Sequence, residues 1–68
     1  MDNWKCIYNA DKLYKVEVVR DFLKAENIES VLINKMDSSY TMFGNVELYV
    51  QPEDENRAVE LIKNCKFD

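Results

Sequence analysis

The alternation of apolar and polar side chains is cleanest at Val46-Glu47-Leu48-Tyr49-Val50-Gln51, where Val46, Leu48 and Val50 share one face and Glu47, Tyr49 and Gln51 the other. A period of two belongs to a pleated strand with one buried face, so a strand is predicted over 45–51. Trp4-Lys5-Cys6-Ile7-Tyr8 is short, aromatic and β-branched, and Asn9-Ala10-Asp11 bounds it; this predicts a first strand. Residues 28–34 predict the strand between them. Ile28 and Leu32 fall on one parity and Val31 and Ile33 on the other, so both faces of that strand carry apolar weight.

Residues 12–26 read two ways at first. Tyr14-Lys15-Val16-Glu17-Val18 alternates as a strand does, and valine favours strands. Yet Val18, Phe22 and Ala25 recur at helical spacing, Val16, Val19 and Leu23 form a second adjoining row, and Glu17, Arg20, Asp21 and Lys24 gather opposite. No Gly or Pro interrupts the segment, which is long for a strand. A helix is predicted, capped by Asp11 or Asn9 and closed by Asn27, which tolerates the left-handed conformation that ends many helices. Pro52 stops the last strand and suits the first position of a second helix, where its missing N–H is no loss. Glu53, Asp54 and Glu55 place negative charge at the positive end of that helix dipole, and Lys63 and Lys66 sit near the other end. Ala58, Ile62 and Cys65 form its stripe, with Val59 and Leu61 beside it.

The order β-α-β-β-α predicts a single α+β domain over 1–68 of the ferredoxin-like class, a split βαβ unit. The third strand lies centrally and antiparallel to its neighbours, and both helices cover one face of a three-stranded sheet. Only Lys66-Phe67-Asp68 follow the second helix, so a fourth strand is missing or vestigial. The first strand is then an open edge, and bare edges invite pairing. The uncovered face is expected to carry Tyr49 with either Cys6 and Tyr8 or Ile7. Homo-oligomerisation through the first strand's edge or the open sheet face is therefore an expectation.

Composition narrows the function classes. A chain of 68 residues has a thin core, burying about 60% of the surface its unfolded form exposes. No apolar run approaches the ~20 residues that span a bilayer, and the N-terminus lacks the basic and apolar regions of a secretory signal. The expectation is a cytoplasmic protein with no membrane insertion. Nine basic against 13 acidic residues give a net charge of −4, which disfavours nucleic acid, whose affinity comes mainly from cationic contacts to phosphate. Lys12, Lys15, Arg20 and Lys24 on the first helix are interleaved with Glu17, Asp21 and Glu26, the pattern of a solvated face. Histidine is absent and the two cysteines, Cys6 and Cys65, stand at opposite ends, so neither a metal site nor a cofactor is expected. Without histidine the commonest general base is missing, and catalysis is not expected either.

One segment is longer than the fold requires. Two to five residues could close the hairpin between the second and third strands, but residues 35–44 take ten. They include Asp37, the hydroxyls of Ser38, Ser39 and Thr41, the phenol of Tyr40, and the apolar Met36, Met42 and Phe43. Gly44, the chain's sole glycine, is expected to supply a positive φ where the strand begins. Local turns at Asp37-Ser38-Ser39 with Tyr40 and Phe43 packed on the sheet would make this loop structural. Recognition of a partner or ligand would make it functional, since binding residues concentrate on loops held by rigid scaffolds.

Cys6-Ile7-Tyr8, the helix ending before Ile28, the Asn34-Lys35-Met36-Asp37-Ser38-Ser39-Tyr40 segment, and Phe43-Gly44 leading into Glu47-Leu48-Tyr49-Val50 together resemble a family. It comprises small bacterial domains described as putative prokaryotic signal-transducing proteins, and the resemblance covers essentially the whole chain. It implies a fold similar to the PII regulatory proteins, which are ferredoxin-like, carry a recognition loop between strands two and three, and trimerise with nucleotide bound between subunits. The loop here is much shorter than theirs, and no Gly-rich or basic phosphate cradle is visible, so binding of ATP or 2-oxoglutarate is not carried over. The resulting expectation is a signal-transducing, regulatory module that binds an unidentified protein partner through Asp37, Ser38, Ser39, Tyr40, Phe43 and Gly44. The alternative is a small-molecule or cation sensor using the same loop, with subunits sharing the site. Modification of Tyr40 is a further possibility by analogy with the PII loop tyrosine.

Overall fold

β3 (Val46–Val50) is the centre of the molecule. It lies between β1 (Lys5–Ala10) and β2 (Ser30–Asn34), antiparallel to both, in a three-stranded sheet of order β1-β3-β2. The computed structural model describes residues 3–34 and 46–65. α1 (Leu13–Ala25) joins the outer strands, and α2 (Glu55–Lys63) follows β3 after a 3-10 turn at Pro52–Asp54. Val46, Leu48 and Val50 are fully buried, as the alternation of that strand demands, and they form one cluster with Val16, Val19 and Leu23 of α1, Ile28, and Ala58 of α2. Both helices therefore cover the same sheet face. This is an α+β architecture consistent with a ferredoxin-like fold, and among the described residues both outer strands are edges.

Of the two apolar rows on α1, the sheet takes Val16, Val19 and Leu23, all 0% exposed. Val18 is 51% exposed, Ala25 is exposed, and Phe22 packs only partly against the core. The helix start differs from expectation as well. Neither Asp11 nor Asn9 caps it: β1 continues through Ala10, Lys12 occupies the N-cap without a side-chain bond, and Asp11 pairs with Lys15 one turn on, at 3.8 Å. The helix end is as predicted. Asn27 has φ 65°, its N–H donates to Lys24 O, and the N–H of Ile28 donates to Leu23 O. These two bonds, with Leu23 and Ile28 both in the core, make a complete Schellman closure.

A bulge interrupts β1. Cys6 pairs with Tyr49 and Tyr8 with Leu48, so Ile7 is an extra residue in the ladder. Two residues then oppose one, and the strand's strict alternation fails. Ile7 and Tyr8 both pack against the core while Cys6 stays exposed in register with Tyr49. The expectation of either Cys6 with Tyr8 or Ile7 on the open face is thereby corrected: of these three only Cys6 lies there. Among the described residues, no helix is long and apolar enough to cross a membrane.

Candidate functional site

The six loop residues singled out from the sequence, Asp37, Ser38, Ser39, Tyr40, Phe43 and Gly44, lie outside the described residues. Their anchorage is described. Asn34 and Val46 are the last register pair of the β2–β3 ladder, so both ends of the connecting segment leave from adjacent, hydrogen-bonded strands. Strand spacing is about 4.8 Å, so the two ends of the loop leave the sheet close together.

Next to that base lies the sheet face that no helix covers. Paired residues of an antiparallel ladder share a face. Register therefore gathers Val31 and Ile33 of β2, Glu47 and Tyr49 of β3, and Cys6 and Asn9 of β1. The β2 and β3 members are half-buried and the β1 members exposed. Tyr49 and Glu47, two apart on one strand, point the same way, and the Tyr49 hydroxyl donates to Glu47 Oε1 at 2.8 Å. That hydrogen bond holds the phenol neutral and pushes its pKa up to about 12 from 10.0, with desolvation and the nearby Glu47 charge acting in the same direction. The alternation of β3 placed both residues on this face in advance. Cys6 donates a weak bond to Tyr8 O at 3.6 Å, and both Cys6 and Cys65 are free thiols. Among the described residues, no group of three or more His, Cys, Asp or Glu side chains could hold a metal ion.

A second feature was not anticipated. An open cleft of about 580 Å³ runs between the C-terminal half of α1 and the start of β2, lined by Arg20, Asp21, Lys24, Asn27, Ile28, Glu29 and Ser30. Sequence reading treated the helical charges as a solvated face. The one available signal was Ser30, a hydroxyl on the same parity as the apolar Ile28 and Leu32.

The family described as putative prokaryotic signal transducing protein matches residues 4–66. No curated protein and no solved structure matches the chain.

Proposed function

From the premise that the chain belongs to the family of putative prokaryotic signal transducing proteins, we propose that it is a regulatory module acting by binding a protein partner rather than by catalysis. In this reading the loop of residues 35–44, with Asp37, Ser38, Ser39, Tyr40, Phe43 and Gly44, is the contact surface, as the corresponding loop is in the PII-like arrangement. The observation that carries it is the Asn34–Val46 pair. A recognition loop works best when its ends are held still, because ordering it on binding then costs less conformational entropy. The adjoining face, with Tyr49, Val31 and Ile33 half-buried, extends the same surface and offers a route to self-association. No cofactor, nucleic acid or membrane enters this mechanism, and the setting we propose is the cytoplasm.

Affinity capture from native cell extract tests the reading, with wild type compared against an Asp37→Ala/Tyr40→Ala double variant whose fold is checked by circular dichroism. A partner held by wild type and lost by the folded double variant is the expected result. A partner held equally by both would refute the loop as the contact surface.

A further inference from the structure

The two edges of the sheet are unlike. β1 carries a bulge at Ile7 and a lysine, Lys5, and each of these spoils a strand as a template for another chain. β2 has neither. Its five residues, Ser30-Val31-Leu32-Ile33-Asn34, pair regularly with β3 and include no charge and no proline. Among the described residues no strand pairs with its outer side, so backbone N–H and C=O groups stand open along it. Apolar surface is left open there as well. Leu32 is half-buried, whereas Leu48, opposite it on the same helix-covered face, is fully buried. The open cleft lies between α1 and the start of β2, so the helix does not close over that end of the edge.

The sequence around this edge is complementary to its own reverse. About Leu32 as centre, Val31 mirrors Ile33, both β-branched, and Ser30 mirrors Asn34, both small hydrogen-bonding side chains. One residue further out, Glu29 mirrors Lys35, of opposite charge. An antiparallel copy in that register therefore matches apolar with apolar, polar with polar and acid with base. Mirrored residues have the same parity, so open backbone groups meet open backbone groups, and both copies keep their helices on one side of the sheet.

We infer that the chain forms a twofold dimer by antiparallel pairing of β2 with β2 of a second copy, centred on Leu32, in a continuous sheet of six strands, three from each copy. Val31 lies beside the partner's Ile33. Glu29 meets the end of the partner's strand, where Lys35 follows Asn34 in the sequence. A twofold contact uses up both β2 edges and leaves the two blunted β1 edges outermost, so assembly stops at two. A partner also supplements the thin core of a chain this short.

Sedimentation equilibrium of the full chain measures the association, under reducing conditions because Cys6 and Cys65 are free thiols. Isotope-filtered NOE spectra of mixed labelled and unlabelled chains locate it. The expected result is a dimer with intermolecular contacts between Val31 and Ile33 methyl groups. Glu29→Lys, at an exposed position, sets like charges together twice per dimer and should weaken association by about tenfold. Glu29→Lys/Lys35→Glu restores opposite charges and should recover it to within about threefold. A chain that stays monomeric up to the concentrations of the NMR experiment overturns the inference. So do intermolecular contacts at β1, or at the exposed Tyr14 and Val18 of α1, in place of β2. An association that Glu29→Lys leaves unchanged, or that the double variant fails to recover, overturns it equally.

Discussion

Val18 and Val19 are neighbours of the same chemistry on one helix, and the structure gives them opposite surroundings: 51% exposed and 0% exposed. Replacing each by alanine isolates the contribution of burial. Val19→Ala removes two methyl groups from the cluster beneath α1, about 1.6 kcal/mol at ~0.8 kcal/mol per buried methylene. The residual cavity adds a comparable amount if the cluster does not collapse, for a total of about 2–3 kcal/mol. A domain of this size holds roughly 3–5 kcal/mol of net stability, so Val19→Ala should lower the melting temperature by roughly 10–20 °C at ~4–8 °C per kcal/mol. Val18→Ala loses little burial and gains helix propensity by exchanging a β-branched side chain for alanine, so it should be neutral or stabilising by a few tenths of a kcal/mol. Urea unfolding followed by far-UV circular dichroism measures both. Equal losses in the two variants, or a larger loss for Val18→Ala, would mean that α1 presents its other apolar row to the sheet and that the core described above is wrong.

Tyr49 gives a pH-dependent prediction. Its folded pKa lies near 12, above the ordinary 10.0, so the associated stabilisation is complete below about pH 10 and is lost as pH rises through about 12. Ultraviolet titration of the phenolate should show the high midpoint, and Glu47→Ala, which removes the acceptor, should return it toward 10; a midpoint unmoved by that change would exclude the hydrogen bond as the main cause. At the end of α1, Asn27→Gly should be neutral or stabilising and Asn27→Ala should cost roughly 1–2 kcal/mol, because φ 65° is open to glycine and strained for alanine. Thermal melts of the two variants shifted in the same direction by the same amount would refute that account.

The features legible in the sequence were those decided locally. The alternation at 46–50, the stop at Pro52 and the left-handed closure at Asn27 each follow from a few adjacent residues, and each stands in the structure. The central, antiparallel place of β3 also follows from the β-α-β-β-α order, but finer non-local choices were not legible. The two apolar rows of α1 are similar in composition, and only the docking angle on the sheet selects Val16, Val19 and Leu23. Nothing in Cys6-Ile7-Tyr8 marks the bulge, because it arises from fitting β1 to β3 while keeping both Ile7 and Tyr8 on the core. Of the candidate loop surface, the anchorage at Asn34 and Val46 is what the structure adds, since the residues themselves lie outside the described segments.

The strand order also sets a schedule for synthesis. β1 and β2 are made first but are not hydrogen-bonded to each other; each waits for β3. Until Val50 has emerged from the ribosome, the nascent chain can form α1 but no sheet, and Val16, Val19 and Leu23 have no surface to cover. At ~5–20 residues per second, the interval from Asn34 to Val50 lasts about 1–3 s. Until β3 joins them, both outer strands lack the partner that fills their edges and the apolar row of α1 lacks the surface it covers in the fold. The bulge in β1 spoils one of those edges as a template for other chains, which leaves β2 as the strand most in need of cover before translation reaches its partner.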